Sequence, residues 1–253
     1  MTNQIKNLYE EYRRIARCET VSFDACDTLI FARPGLDETL NEACRALGIP
    51  MNIERARAFC GAMVGAYTDR MVEALQREEN LSGEEKRAAW KSVFLAAQGA
   101  PIQNEEELRG LENELAKFNY EWTAASDAAD TLHAIRDSGR RIVVTSNFDN
   151  TLEDVLRGVG LTKLTDAILP SAEAGVEKPD PRIFDYSLKK VNARPETTIH
   201  IGDSAFDVIS ARAAGATGIL LDHVMPGWSG DMGYMAPVVR IEKLSRLLKL
   251  LGI

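Results

Sequence analysis

Four places in the chain set carboxylate, hydroxyl, amide or ammonium groups after a short run of strand-forming residues. Asp24 follows residues 19–23, with Cys26 and Asp27 close behind it, and Ser146 and Asn147 follow residues 141–145. Lys178 stands in the sequence EKPDP at 177–181, and Asp203 and Asp207 fall in GDSAFD at 202–207, after residues 198–201. Groups of these types can serve as a nucleophile, as oxygen ligands for a hard cation, as hydrogen-bond donors, or as positive charge facing an anion. Singly, each has a plainer explanation, because a carboxylate or hydroxyl after a strand is commonly a helix cap or turn former. In an open parallel sheet, however, ligands bind at the carboxyl ends of the strands, so four such places in order outweigh any one of them.

The elements that must bring these residues together are legible from periodicity. Residues 4–17 carry Ile5, Leu8, Tyr9, Tyr12, Ile15 and Ala16 at helical spacing, which predicts an amphipathic helix. From about Asp37 to Trp122 the pattern is helical throughout, with stretches such as 38–47, 53–75 and 105–118. After Ser126 it changes to helices at 127–138, 151–158, 181–192 and 205–214 alternating with strands at 141–145, 167–169, 198–201 and 218–221. Gly139, Gly160 and Gly215 fall where three of those helices should stop. Residues 225–237, rich in Gly, Met and Pro, read as a loop before a final helix. Alternating strands and helices predict a doubly wound, Rossmann-like α/β core with a parallel sheet covered on both faces. The first strand is separated from the others by the helical block. The expected organisation is therefore a core of residues 1–32 and 125–253, with residues 33–124 inserted as a helical cap.

In this order FDACDTL (23–29), VVTSNFD (143–149), EKPDPRIF (177–184) and HIGDSAFD (200–207) resemble the four motifs of the haloacid dehalogenase superfamily. The wording around 146–149 and 178–184 is closest to its dehalogenase-like phosphatase branch, and the insertion stands where the family's class 1 helical caps sit. The resemblance implies Mg²⁺-dependent hydrolysis through a covalent aspartyl intermediate, with Asp24 as nucleophile and Ser146 and Lys178 as its catalytic partners. It implies metal ligation by Asp24, Asp203 and the main-chain oxygen of Cys26, with Asp207 beside them or acting through water, and substrate contacts from Asn147, Cys26 and Asp27. Asp207 has an alternative as a helix cap or partner of a nearby amide. His200, inside an apolar strand, reads as a packed core histidine, and Cys18, Cys44 and Cys60 read as small buried hydrophobes. Arg33, Tyr67 and Arg70 are weaker candidates for lining a cleft.

One departure bears on substrate. Phosphatases of this family usually carry an aspartate two residues after the nucleophile, as the acid that protonates the leaving alkoxide. Here that position is Cys26, and Asp27 stands one residue further on. Spacing by two keeps both side chains on one side of an extended strand, whereas spacing by three reaches the same substrate only if the chain turns sharply. Three readings follow: a phosphatase acting on a small phosphorylated metabolite, a phosphate-binding or regulatory module with little turnover, and a carbon-halogen hydrolase. Asp203 weighs against the last, because the family's dehalogenases work without metal and usually lack the Gly-Asp-x-x-x-Asp pattern.

The 253 residues can bury one large core with a modest insertion. A net charge of −8 argues against nucleic acid or an anionic membrane as partner over a broad surface. No apolar run approaches the roughly 20 residues of a membrane span. Charged residues interrupt the apolar positions near Met1, and the four cysteines form no CxxC pair, so the expected setting is a reducing cytoplasm.

Overall fold

The computed structural model describes residues 3–77, 79, 81–222 and 239–253. Among them the chain divides into two compact units, one of residues 3–31, 122–222 and 239–253, the other of residues 32–121. In chain order the first elements are α1 (Asn3–Ala16), β1 (Thr20–Phe23) and β2 (Ile30–Arg33). The second unit follows with α2 (Leu36–Ala46), α3 (Ile53–Gln76), α4 (Gly83–Ala96) and α5 (Glu105–Leu115). The chain returns through β3 (Glu121–Ala124), α6 (Ala128–Asp137), β4 (Arg141–Ser146), α7 (Leu152–Gly158), β5 (Ala167–Pro170) and α8 (Ser171–Ala174). It continues with α9 (Arg182–Lys189), β6 (Thr198–Gly202), α10 (Ala205–Ala213), β7 (Thr217–Leu221), β8 (Val239–Ile241) and α11 (Arg246–Leu251).

The large sheet runs in the order β5-β4-β1-β6-β7-β8, and every adjacent pair is parallel. This is the expected Rossmann-like α/β architecture. β1 lies between β4 and β6, with Ser22 opposite both Val143 and His200, so the chain leaves β1 toward β4 on one side and β6 leads away on the other. Such a reversal leaves a crevice at the carboxyl ends of the strands, where Asp24 and Asp203 follow β1 and β6.

Alternation along the strands gives the sheet two unlike faces. One is apolar: Val21, Phe23, Ile142, Val144, Ile199, Ile201 and Ile219 pack with Ile15, Leu132, Ile135 and Leu247 in the main core cluster. The other face carries fully buried polar residues, Thr20, Ser22, Thr145 and His200, beside smaller clusters built on Phe184, Leu188 and Leu169 and on Val208 and Leu220. At Gly218 β7 meets α10 without a side chain between them: a Cβ there would lie 2.8 Å from Val208 Cα.

The second unit has its own core of Leu40, Phe59, Cys60, Met63, Phe94, Ile102, Leu108 and Leu111. Its helices start on side-chain caps: Asn52 accepts from Arg55 N at 2.9 Å, Ser82 and Glu85 bond each other's backbone amides, and Asn104 accepts from Glu106 N and Glu107 N. No described helix is long and apolar enough to cross a membrane.

The differences from the expected elements are local. β2 and β3, which pair with each other in a two-stranded sheet, and the edge strand β8 are additional strands. The chain divides at 31/32 and 121/122, inside that small sheet, against the expected 32/33 and 124/125. Helices 105–118 and 181–192 stop earlier, at Leu115 and Lys189. The loop expected at 225–237 lies outside the described residues; the final helix is α11.

Gly218→Ala should destabilise the fold by about 1–3 kcal/mol, because the new methyl meets helix backbone that cannot move aside. Gly110→Ala in α5, where a Cβ meets nothing within 4 Å, should instead gain up to about 1 kcal/mol of helix propensity. Urea unfolding of both variants checks the pair; equal effects would show that the contact between β7 and α10 is not tight.

Candidate active site

Three strand ends and the loop that carries Lys178 converge on a buried ammonium. Lys178 Nζ lies 2.5 Å from Asp24 Oδ1, 2.5 Å from Asp207 Oδ1 and 3.1 Å from the Thr145 carbonyl oxygen. Its three hydrogens therefore have three acceptors, which a lysine only 4% exposed requires. The backbone that delivers it is held by Asn147: the amide Nδ2 donates to Lys178 O at 2.8 Å, and Oδ1 accepts from Lys178 N at 2.7 Å.

Asp207 is enclosed by donors. Besides Lys178, its Oδ1 faces His200 Nε2 at 3.2 Å, and its Oδ2 accepts from Ser204 N at 3.0 Å and Ser204 Oγ at 2.6 Å, closing the first turn of α10. Gly202 makes room for it, since a Cβ there would fall 2.5 Å from Asp207 Cβ. Asp203 has Thr28 Oγ1 at 3.4 Å. One oxygen from each of Asp24, Asp203 and Asp207 lies within 4.8 Å of the others.

The three carboxylates titrate differently because their donors differ. Burial pushes Asp24 above its usual range, with Lys178 only partly offsetting it. Burial would push Asp207 up as well, but the Lys178 ammonium beside it, with His200, holds it well below. Asp203 is raised furthest, by burial and then by the charges of Asp207, Asp24 and Asp27. Burial alone would lower Lys178, yet Asp207 and Asp24 hold it above its ordinary value. When ionised, these three clustered carboxylates outnumber the one ammonium among them by two charges. Clustered hard oxygens with that excess suit a divalent ion such as Mg²⁺, so the residues present fit the metal.

The turn after β1 is as sharp as a spacing of three demands. Asp27 adopts φ 55°, and the Ala25 carbonyl accepts from Thr28 N, Leu29 N and Ile30 N. Asp27 is half-buried, burial raises its carboxyl, and its Oδ2 is 3.8 Å from the Cys26 thiol. Cys26 itself is pushed up by burial and by the charges of Asp27, Asp24 and Asp203, so it stays a thiol.

The structure thus brings Asp24, Lys178, Asp203, Asp207 and the Asp27 turn together. Ser146 is buried at the end of β4, next to Thr145. Asn147, expected to donate to substrate, instead commits both ends of its amide to the Lys178 backbone. Asp207 takes up the alternative of binding a nearby amide, that of Ser204, while remaining within ligand distance of the other two carboxylates. Arg33 is exposed, Tyr67 packs edge-on against Trp90, and Arg70 pairs with Glu79 at 3.7 Å. Thr28, Thr145 and Ser204 also touch the site. His200 is buried as expected, but it is also hydrogen-bonded, and burial lowers its pKa against the pull of Asp207, so the ring is neutral.

A family model described as haloacid dehalogenase-like hydrolase matches residues 18–215. The haloacid dehalogenase-like hydrolase domain-containing protein 3 of Homo sapiens is 31% identical over 210 residues, covering 79% of this chain and 80% of its own. The crystal structure of a dehalogenase superposes with a TM-score of 0.62 at 19% identity, covering 93% of this chain and 98% of that one. The crystal structure of a HAD phosphatase from Thermococcus onnurineus does so with 0.54 at 22%, covering 92% and 98%. At such identities the two structures speak for the fold alone. The chain belongs to the haloacid dehalogenase-like hydrolase family, and its core is the α/β scaffold of those hydrolases.

The excess charge has a measurable consequence. Asp203 holds its proton more tightly in the folded chain than in the unfolded one, where a carboxyl titrates near about 3.9. A folded value above the unfolded one means that stability falls as pH rises from the unfolded value through the raised one. In EDTA, Asp203→Asn should therefore melt above the parent at neutral pH, and this advantage should shrink as the pH is lowered toward about 5. Adding Mg²⁺ at neutral pH should raise the melting temperature of the parent more than that of the variant. Thermal melts across pH with EDTA or Mg²⁺ read all three; an advantage independent of pH would mean that Asp203 carries no buried charge.

Proposed function

We propose that this chain is a Mg²⁺-dependent phosphatase of small phosphorylated metabolites, with Asp24 as nucleophile. The observation that carries the reading is the buried cluster of Asp24, Asp203 and Asp207, whose charge when ionised exceeds that of Lys178 by two, the charge of a divalent cation. Asp24, Asp203 and the main-chain oxygen of Cys26 would hold the ion, with Asp207 adjoining. When bound, Mg²⁺ supplies positive charge facing the phosphoryl oxygens. The Asp24 carboxylate attacks phosphorus, forming an Asp24 O–P bond as the ester P–O bond breaks, and water then cleaves the acyl phosphate and restores the carboxylate. Lys178 keeps Asp24 aimed and adds charge opposite the transferring group. Ser146 lies one residue from the Lys178-bonded carbonyl of Thr145, in keeping with a hydrogen-bonding role toward that group. Asp27, whose carboxyl burial raises above its ordinary value, is the acid for the departing oxygen in place of a carboxylate at position 26.

Asp203 also favours this reading over carbon-halogen hydrolysis, which needs neither a metal nor an acid for the departing halide. The regulatory-module reading differs only in turnover. The net charge of −8 directs the proposal away from nucleic acid and anionic membranes. Four free cysteines, three of them buried, accord with a reducing cytoplasm.

A phosphate-release screen over sugar phosphates, nucleotides and acyl phosphates should show turnover that requires Mg²⁺ and vanishes in Asp24→Asn. Release that survives that substitution, or that ignores Mg²⁺, would refute the proposal. Cys26→Asp tests the acid separately. If proton delivery limits the parent, a carboxylate two residues after Asp24 should raise turnover of alkyl phosphates by about tenfold or more, and of aryl phosphates much less. If Asp27 already delivers the proton efficiently, Asp27→Asn should slow alkyl phosphates selectively, and Cys26→Asp should add nothing.

A further inference from the structure

Beneath the site lies a row of buried polar groups that the proposed chemistry does not use. Alternation puts Ser22, Thr145 and His200 on one face of three neighbouring strands. Ser22 Oγ and Thr145 Oγ1 share a hydrogen bond of 3.2 Å, His200 Nδ1 lies 2.9 Å from Ser22 Oγ, and His200 Nε2 lies 3.2 Å from Asp207 Oδ1. The imidazole is wholly buried, edge-on to Phe184 with ring centres 4.8 Å apart. The row touches Lys178 at both ends, through the Asp207 carboxylate and through the Thr145 carbonyl oxygen.

We propose that His200 is a positioning residue: its Nε2–H, fixed in that tautomer by the acceptor-only Asp207, holds the Asp207 carboxylate that seats Lys178 against Asp24. A neutral imidazole has one donor and one acceptor nitrogen, and an ionised carboxylate only accepts, so the hydrogen stands on Nε2. Nδ1 is then the acceptor facing the Ser22 hydroxyl, which also shares a hydrogen bond with Thr145 Oγ1. Without the imidazole donor, Asp207 Oδ1 keeps only the Lys178 ammonium, and the carboxylate can tilt about its Ser204 contacts and draw that ammonium off Asp24. A ring that merely fills space against Phe184 would have no such effect.

The inference rests on Asp24 and Lys178 acting as proposed, and three substitutions separate donor from volume. Gln at 200 carries an amide N–H about as far out as Nε2, Asn reaches only as far as Nδ1, and Phe fills the space with no donor. In the Mg²⁺-loaded enzyme, His200→Gln should keep kcat per folded molecule within about threefold, whereas His200→Asn and His200→Phe should lose about tenfold or more with little change in KM. Parental kcat in His200→Asn and His200→Phe would overturn the proposal. Should those variants not fold, nitrogen-15 NMR of the parent's His200, assigned against His133→Gln and His223→Gln, reads the tautomer directly: hydrogen on Nε2 is expected, and hydrogen on Nδ1 overturns it. That spectrum does not depend on turnover, so a chain that releases no phosphate would refute the phosphatase reading while His200 is still tested.

Discussion

A lysine ammonium held out of water between two carboxylates is the constraint on which the rest of the active end depends. Removing Lys178 from solvent is costly, and a buried ion pair by itself is weak evidence of stabilisation, because desolvation can exceed the Coulombic gain. The fold nevertheless surrounds it with dedicated parts: a strand carbonyl as third acceptor, an asparagine that grips its backbone, and a glycine that leaves space for Asp207. The carboxyl ends of neighbouring parallel strands bring those parts together. An arrangement that expensive and that well supported is more economically read as holding a reacting group than as holding the fold.

The same parts explain why three carboxylates so close together do not behave alike. Asp207 is surrounded by hydrogen-bond donors and stays ionised, so it serves the lysine. Asp24 shares the lysine but has less compensation, and Asp203 faces mostly negative charge. Environments that push like groups apart in this way commonly mark a division of labour. On the proposed reading Asp207 anchors, Asp24 attacks, and Asp203 carries the charge that a metal neutralises.

Much of this was legible in the sequence, because residues that end parallel strands converge by topology. Asp24, Lys178, Asp203 and Asp207 are local signals, and their order needed only the parallel sheet to bring them together. The short strands β2, β3 and β8 escaped because three or four residues give too little alternation to distinguish them from loop. The roles of His200 and Asn147 escaped for another reason. Polar residues at alternate positions in TVSF, VVTS and TIHI are visible as a pattern, but their contact depends on β1 standing between β4 and β6. Likewise nothing within SNFD says that an asparagine amide will find the backbone of a residue thirty-one positions away, a pairing that exists only once β4 and the loop before α9 are in place.

The turn after β1 shows what spacing alone leaves open. An aspartate three residues beyond the nucleophile points to the wrong side of an extended strand, and on that geometry Asp27 would be irrelevant to the site. The chain is not extended there: the Ala25 carbonyl gathers three amides, and Asp27 takes a left-handed backbone that non-glycine residues adopt at some cost. Aspartate is among the few side chains that tolerate this conformation, which by itself would be a structural reason for its presence. But the turn also leaves the carboxyl half-buried and within electrostatic reach of Asp203, where burial favours its protonated form. A residue chosen only for its backbone would be as well placed pointing to solvent. The coincidence of a strained turn, a carboxyl raised by burial and a neighbouring thiol made a still weaker acid by burial and nearby charge favours Asp27 over Cys26 as the acid of the proposed reaction.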